Sequence, residues 1–392
     1  MTFLQFVLSY APAWHHGGPP RIMYDYARYI AAAGHRVIVL APDSSAPMDR
    51  SVWQGFPLGI EVLYYRQYGG WLKRYYFDYS CSQIWKAIAR LRNAIDIIHL
   101  AQTRCLPNIV ALEACRRFGI PIALSSFGSL PRRESKPKWA YDKLFVNPLV
   151  RKACLLLGQT HHECEVYAQY GGRRNSIQLL PLAVDLSEGL RRFPDKSRES
   201  FCGRFQIPLD SHLFLFLGRL HPTKGLDFLV KAFARVLPKE PRSFLALVGH
   251  DEGVAGEIRR LAETLGISHR LRMCGPLYDQ DRWQAYSSAD TFVITPRVFE
   301  ETSLASIEAL SCGTPVLTNV RADIPHLEEY GAGFVIEADE ESAVNRMLTL
   351  VREDEKARAI RRTSALSLAR EVFDIKVVAA RLLHLADQAI GS

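Results

Sequence analysis

The stretch Thr2-Phe-Leu-Gln-Phe-Val-Leu8 is an apolar run near the start of the chain, and it decides the class of fold. A loop rich in glycine and proline follows, and then a helical pattern that stops at Gly34. A second apolar run, Arg36-Val-Ile-Val-Leu40, comes directly after that glycine. Short apolar runs predict buried strands, and a strand, a helix and a strand in this order form a parallel unit. The sequence therefore predicts an α/β fold.

The same alternation recurs along most of the chain, in two series separated by a polar stretch. Strands that alternate with helical segments indicate a parallel sheet covered on both faces. Further strands are predicted at Ile97–Leu100, Pro121–Ser125 and Ala153–Leu157 in the first series, and at Leu213–Leu217, Phe244–Val248, Arg270–Met273, Thr291–Ile294 and Pro315–Thr318 in the second.

The polar, charge-rich stretch from Ser187 to Asp210 marks a domain boundary. We expect an N-terminal α/β domain at residues 1–185 and a C-terminal α/β domain at residues 186–375. Residues 376–392 are predicted to form a last helix that could pack back on the first domain. The predicted architecture is thus two Rossmann-like parallel-sheet domains that face each other across a cleft, where ligands usually bind.

Composition excludes several classes of protein. Of the 392 residues, 48% are hydrophobic and 23% charged, values typical of an ordinary globular protein rather than a disordered or collagenous one. No apolar stretch reaches the ~18 residues of a membrane span, and no cationic segment precedes the apolar start, so a cytoplasmic protein is expected. The eight cysteines contain no C-x-x-C pair, which favours reduced thiols over a zinc site or a disulfide framework.

The positive charge is concentrated in the first half of the chain. Residues 1–185 contain 22 Lys+Arg and 12 Asp+Glu, a net charge of +10, whereas the remainder has a net charge of −2. A one-sided excess of this kind predicts an anionic partner for the first half: a phosphorylated ligand, a membrane surface or nucleic acid.

The most informative stretch begins at Pro296 and ends at Val316. It predicts the end of a strand, a loop that contains Glu300, and a helix that starts near Leu304. The free N–H groups at a helix N-terminus can hold a phosphate, and carboxylates such as Glu300 and Glu308 can accept hydrogen bonds from hydroxyl groups. This combination suits a sugar phosphate or a nucleotide sugar.

A second strand, loop and helix contains Gly218, Arg219 and Lys224. A guanidinium and an ammonium group at this position can neutralise a diphosphate. Both cations follow a parallel strand, as Glu300 does, so we expect the cationic pair and the carboxylate pair to converge at one edge of the sheet.

These motifs together resemble a known family. Gly218-Arg219-x4-Lys224-Gly225, followed by Glu300-x7-Glu308-Ala309 and Gly313-Thr-Pro-Val316, is similar to the large retaining glycosyltransferase family 4, also called glycosyl transferases group 1, which has the GT-B fold. Shorter pieces agree with the family in order and spacing: Gly17-Gly18, Gly34-His35-Arg-Val37, Asp96-Ile-Ile-His99, Pro181-Leu-Ala-Val-Asp185, Val248-Gly249 and Cys274-Gly275.

The resemblance implies a role for each residue. Arg219 and Lys224 would bind the nucleotide diphosphate and stabilise it as leaving group without a metal ion or other cofactor. Glu300 would hydrogen-bond the transferred sugar and Glu308 the ribose. The other donor-binding residues implied are Gly18, Gly218, Thr302, Ser303, Leu304 and Ala305, and the acceptor-side candidates are His16, Phe127 and Gly128.

Two positions depart from the family pattern. Phe127 lies where the family often has a histidine, which puts the details of catalysis in doubt. Thr302-Ser303 replaces the usual Phe-Gly, which changes the sugar pocket more than the phosphate site.

Other motifs have simpler explanations. His15-His16 and His161-His162-Glu163-Cys164 have no distant partners that would make a metal site. Asp279-Gln-Asp281 is interpreted as helix capping rather than as a metal motif. Basic and aromatic residues mix at residues 64–77 and 130–139, and such loops could rest on an anionic membrane or be half-buried with a solvated face. No nucleic-acid-binding module is recognisable.

The resemblance thus implies a retaining glycosyltransferase that moves a sugar from a UDP- or GDP-sugar to the hydroxyl of a saccharide or lipid-linked saccharide. The family analogy suggests cell-envelope, lipopolysaccharide or exopolysaccharide synthesis, at the inner face of the membrane. Two alternatives remain open: a nucleotide-sugar epimerase on the same fold, and a non-catalytic nucleotide-sugar-binding or scaffold subunit.

Overall fold

The computed structural model describes residues 1–11, 18–45, 55–68, 79–130, 136–186 and 197–391. The chain divides into two compact units, Met1–Ala183 with Ile375–Ser392, and Val184–Asp374. Each unit is a parallel sheet with helices, so the predicted fold class is confirmed.

The sheet of the first unit has the spatial strand order 3-2-1-4-5-6-7, with all neighbouring strands parallel. Its strands are β1 (Thr2–Phe6), β2 (Arg36–Pro42), β3 (Ile60–Tyr65), β4 (Ile97–Ala101), β5 (Ile122–Ser125), β6 (Leu155–Gly158) and β7 (Ile177–Leu179). Its helices up to residue 183 are α1 (Gly18–Ala32), α2 (Cys81–Leu91), α3 (Leu106–Phe118), α4 (Lys136–Tyr141), α5 (Asn147–Lys152) and α6 (His161–Gln169), with a π-helical turn at Asp142–Val146.

The sheet of the second unit has the order 10-9-8-11-12-13, again all parallel. Its strands are β8 (His212–Leu217), β9 (Ser243–Val248), β10 (Leu271–Gly275), β11 (Thr291–Ile294), β12 (Val316–Asn319) and β13 (Gly333–Ile336). The remaining helices are α7 (Ser197–Arg204), α8 (Leu226–Val236), α9 (Ala255–Thr264), α10 (Asp279–Ser288), α11 (Leu304–Ser311), α12 (Glu340–Arg352), α13 (Glu355–Leu368), a π-helical turn at Ala369–Phe373, and α14 (Ile375–Gly391).

Central strands are buried on both faces, which explains why they are apolar runs rather than alternating ones. All five residues of β4 and all six of β9 are buried. The last helix, α14, belongs to the first unit and packs against α1.

Three strands, β3, β7 and β13, were not predicted. All three are edge strands, and most of their residues are only half-buried. They therefore lack the continuous buried run of the central strands. The capping interpretation of Asp279 and Asp281 was wrong. The residue at the N-cap of α10 is Tyr278, which makes no side-chain cap bond, and both aspartates lie in the first turn.

A polar pair lies inside the first unit between the sheet and α1. Gln5 of β1 and His99 of β4 are register partners, and both are completely buried. His99 Nε2 lies 2.9 Å from Ser125 Oγ, and the ring stacks on Tyr26 at 6.2 Å between centroids. Burial lowers the pKa of His99 to about 4, so the ring is neutral at pH 7.

This shift makes stability depend on pH. The pKa of His99 in the folded chain lies below the ordinary value of 6.5, so between these values the unfolded chain binds more protons and stability falls as the pH is lowered. We expect His99→Gln to reduce that loss by up to ~1.4 kcal/mol per pH unit. Urea unfolding of both proteins at pH 7 and pH 5 measures the difference. If both proteins lose the same stability between pH 7 and pH 5, a neutral buried His99 is contradicted.

Candidate active site

The sheet of the second unit reverses its strand order between β8 and β11. These two strands are neighbours, and the chain leaves both at the same carboxyl-terminal edge. Open α/β sheets bind ligands at such a point, because the loops after the two strands diverge there. Arg219 and Lys224 lie on the first of these loops, and Glu300, Thr302 and Ser303 lie on the second.

The loop after β8 brings Lys224 toward the end of β11. Pro222–Lys224 forms one 3-10 turn, and Gly225 follows with φ +68°. A Cβ on Gly225 would lie 2.1 Å from the carbonyl oxygen of Thr295, so only glycine allows this close approach. The approach places Lys224 beside the loop that follows β11.

Lys224 and Glu300 form an ion pair at the switch point. Lys224 Nζ donates to Glu300 Oε2 at 2.7 Å, and the two side chains are only 15% and 19% exposed. The backbone N–H of Glu300 donates to the carbonyl of Arg321 at 2.7 Å, which fixes the loop against the segment after β12. The structure therefore brings one predicted cation and one predicted carboxylate into direct contact.

The next residues form the entrance of α11. Thr302 is buried, and its hydroxyl donates to the carbonyl of Asp323 at 2.6 Å. Ser303 is the N-cap, whose Oγ accepts from the N–H of Ser306 at 3.1 Å. The N–H groups of Leu304 and Ala305, at the first helical positions, have no acceptor within the helix and remain available to an anion.

Glu308 lies further along α11 and is held by α10. Its Oε2 accepts from the hydroxyl of Tyr286 at 3.0 Å, and its Oε1 lies 3.3 Å from Arg282 Nη1. Burial, with a contribution from Glu308, raises the pKa of Tyr286 well above its ordinary value, so this hydroxyl remains a donor. These two contacts fix the orientation of the carboxylate.

Arg219 has a different partner from Lys224. Its Nη1 donates to Glu252 Oε2 at 2.8 Å, and the guanidinium side chain is 62% exposed. Asp251, beside Glu252, accepts from the N–H groups of Gly253, Val254 and Ala255, and these bonds hold the pKa of its carboxyl below the usual value. The two predicted cations therefore follow one strand but pair with separate carboxylates.

Gly218 lies at a close approach of two strand ends. A Cβ on Gly249, after β9, would lie 1.7 Å from the carbonyl oxygen of Gly218. Gly249 has φ +153°, and its N–H donates to the carbonyl of Gly275 at 2.9 Å. The steric requirement is strictest at Gly249.

In the first unit, Phe127 and Gly128 lie directly after β5 at the carboxyl-terminal edge. Phe127 has φ +48°, a conformation that side chains rarely adopt, and Gly128 has φ +72°. The loop is held by the buried Glu163, whose Oε1 accepts from Ser126 Oγ at 2.5 Å and from the N–H of Gly128 at 2.7 Å. Strained non-glycine residues held in this way cluster at functional sites.

The other two first-unit candidates differ in how they are placed. Gly18 is the first residue of α1. His16 and its neighbour Gly17 lie outside the described residues.

Two family models match the chain in sequence. Glycosyl transferases group 1 matches residues 197–366, and the glycosyl transferase 4-like domain matches residues 17–183. The chain belongs to the group 1 glycosyltransferases. The family resemblance noted in the sequence is confirmed.

Individual relatives of this glycosyltransferase are distant. A D-inositol 3-phosphate glycosyltransferase of Nocardiopsis dassonvillei is 26% identical over 324 residues, covering 77% of this chain and 73% of the relative. Mannosylfructose-phosphate synthase of Agrobacterium fabrum is 25% identical over 252 residues, 61% of this chain and 54% of the relative. The solved structure of Anabaena HepE in complex with UDP has a TM-score of 0.77 at 18% identity, covering 99% of this chain and all of that one.

Several residues that contact the candidate site residues were not predicted from the sequence. Glu163 was considered only as part of a metal motif, although the pattern Thr160-His-His-Glu163 is a capping signature: Thr160 Oγ1 accepts from the N–H of Glu163 at 2.9 Å. No local signal indicates Arg282, Tyr286 or Glu252, because their contacts join elements distant in sequence.

None of the helices in the described part of the chain combines the length and the hydropathy that a membrane span requires.

A substitution at Gly225 tests whether its close approach to Thr295 is required for the fold of this edge of the sheet. We expect Gly225→Ala to destabilise the protein by at least ~2 kcal/mol, because the methyl group adds a backbone clash to the strain of a positive φ. Gly266→Ala is the matched control: Gly266 has φ +70° with no atom within 4 Å of the added Cβ, so only strain is introduced. Chemical denaturation compares the two. Equal losses would show that the approach to Thr295 is not required.

Proposed function

We propose that this glycosyltransferase moves a sugar from a nucleoside diphosphate sugar to an acceptor hydroxyl with retention of the anomeric configuration. The observation that carries the proposal is the half-buried ion pair of Lys224 with Glu300 at the switch point. It supplies a cation for a diphosphate and a carboxylate for sugar hydroxyls at one place.

The two cations can bind a diphosphate without leaving their carboxylates. Lys224 uses one of its three N–H donors on Glu300, and Arg219 uses one of its five on Glu252. The remaining donors stabilise the negative charge that develops on the diphosphate as it leaves. The proposed reaction therefore needs no metal ion or other cofactor.

The entrance of α11 and Glu308 complete the proposed donor site. The hydroxyls of Thr302 and Ser303 are already engaged, so these residues act through backbone N–H groups, together with those of Leu304 and Ala305. Glu308, fixed by Tyr286 and Arg282, accepts from the ribose hydroxyls of a UDP- or GDP-sugar. Binding of UDP by Anabaena HepE, a protein of the same fold, supports this assignment.

The acceptor side is assigned to His16, Phe127 and Gly128, and Gly18 is assigned to the donor. Phe127 has no proton acceptor, so we assign the proton of the attacking hydroxyl to an oxygen of the departing phosphate. The new bond joins the acceptor oxygen to the anomeric carbon on the face from which the phosphate oxygen leaves. This front-side attack retains the configuration.

A phosphate-bearing acceptor fits the charge of the first 185 residues, which is +10. The two relatives described above are named for inositol 3-phosphate and for mannosylfructose phosphate, which supports an acceptor of this chemistry. We propose a saccharide or polyol that carries phosphate, free or lipid-linked, in the synthesis of cell-envelope or extracellular polysaccharide at the cytoplasmic face of the membrane.

Product analysis distinguishes this function from its alternatives. The proposal predicts a disaccharide or glycoside with retained configuration only when an acceptor is added, with or without EDTA. A changed sugar nucleotide in the absence of acceptor would instead identify an epimerase. Binding of the nucleotide sugar with no turnover on any phosphorylated acceptor would favour a scaffold subunit.

We expect Arg219→Ala and Lys224→Ala each to weaken UDP or GDP binding by at least ~1–2 kcal/mol, the contribution of a charged hydrogen bond. Lys239→Ala removes an exposed cation in the turn after α8 and should leave affinity unchanged. Isothermal titration of each variant measures the difference. Wild-type affinity in both site variants would refute the assignment of the donor site.

Peripheral membrane binding is proposed from a mixed surface at α4 and the following π-helical turn. Trp139 and Leu144 are 48% and 66% exposed, and Lys143 Nζ lies 4.1 Å from the Trp139 ring. Exposed aromatic, aliphatic and cationic side chains together suit an anionic bilayer surface.

We expect Trp139→Ala combined with Leu144→Ser to reduce sedimentation with vesicles containing anionic lipid, and salt to weaken binding of the wild type. Leu209→Ser, at an exposed leucine of the second unit, is the control. Equal sedimentation of all three proteins would exclude this surface as the contact.

A further inference from the structure

The second unit has a cavity at the edge of its sheet opposite to the candidate active site. Its volume is about 510 Å3, and it is lined by the first residues of β8 and β9, His212 and Ser243, and by Asp290, which precedes β11. Lys224 and Glu300 follow β8 and β11 at the other end of the strands. A ligand in this cavity therefore does not occupy the proposed donor site.

The carboxylates that line the cavity are already paired. Asp290 lies 3.1 Å from Arg198, Asp210 lies 3.3 Å from Arg242, and Glu240 lies 2.7 Å from Arg352. Arg198 uses four of its five N–H donors, because it also donates to the carbonyls of Leu209, Ser211 and Ser288. These carboxylates and their arginine partners therefore balance one another's charge.

Two other arginines of the cavity have no acidic partner. Across the described ranges no carboxylate lies within ion-pair distance of Arg358 or Arg362, and Arg358 Nη2 donates to the carbonyl of Val351 at 2.8 Å. Both side chains belong to α13 and are four residues apart. Like charges at this spacing lie on one helix face and repel each other. An anion between them would remove the repulsion.

Two residues of the cavity wall have buried polar atoms without a hydrogen-bond partner. His212 is 8% exposed and Ser243 is completely buried, and neither His212 Nδ1 nor Ser243 Oγ has a hydrogen-bond partner. His212 Nε2 lies 3.2 Å from Thr291 Oγ1. Burial lowers the pKa of His212 to about 4, so the ring is neutral and only one of its two nitrogens carries a proton. Two buried polar groups of the cavity wall are thus unsatisfied, and two guanidinium groups of the same wall have no acidic partner.

We propose that this cavity binds a small phosphomonoester, with Arg358 and Arg362 holding the phosphate. Guanidinium groups bind phosphate oxygens through paired N–H donors, and two of them match the charge of a phosphate dianion. The paired carboxylates that line the cavity accept from the hydroxyls of the ligand. The site is separate from the transfer reaction, so it does not depend on the proposed function.

Isothermal titration with inorganic phosphate and with a hexose 6-phosphate tests the site directly. We expect the double variant Arg358→Ala/Arg362→Ala to bind both at least ten times more weakly than the wild type. The Lys356→Ala control removes an exposed cation of the same helix that does not line the cavity, and it should bind within a factor of two of the wild type. Arg358→Lys/Arg362→Lys should recover part of the affinity, because charge is kept and paired donation is lost.

The same titrations on Arg219→Ala/Lys224→Ala separate the two edges of the sheet. We expect phosphate binding in the cavity to persist in that variant. Loss of the signal there, with full binding by the α13 double variant, would place the phosphate in the donor site and overturn the proposal. Absence of binding by the wild type at millimolar phosphate would overturn it as well.

Discussion

The carbonyl of Thr295 lies so close to Gly225 that no side chain fits between them, and the arrangement of the candidate active site depends on this contact. It joins the loop after β8 to the end of β11, the two strands between which the order of the sheet reverses. Lys224 precedes that glycine, and Glu300 follows that threonine after a short loop. The ion pair therefore forms because backbone packing brings its two loops together, and the attraction of the charges adds to a geometry that is already fixed.

Much of this arrangement could be predicted from the sequence. The central strands are continuous apolar runs, so their positions and their parallel order were predictable, and with them the edge on which Lys224 and Glu300 lie. Edge strands such as β13 were missed because half-buried segments have no such run. The fold class was confirmed by the structure, while the roles of individual site residues stay predictions.

Partners of the site residues were less predictable than the site residues themselves. Nothing near Arg219 in sequence indicates that it pairs with Glu252 instead of the carboxylates of the motif, and nothing near Glu308 indicates Arg282. Such contacts follow from how helices pack on a sheet, which depends on the whole unit. Glu163 is the exception, since its capping pattern is local and readable, yet its bonds to Ser126 and Gly128 join elements far apart in the chain.

The second unit begins and ends at one place: the N–H of Val184 donates to the carbonyl of Phe373 at 2.9 Å, and the chain then returns to the first unit as α14. The second unit is thus an insertion within the first, and its two ends are adjacent, as in domains that tolerate insertion into others. During synthesis, residues 184–374 emerge before the helix that completes the first unit. The second unit can therefore fold on the ribosome while the first still lacks α14, which packs against α1, so the part of the protein made first is finished last.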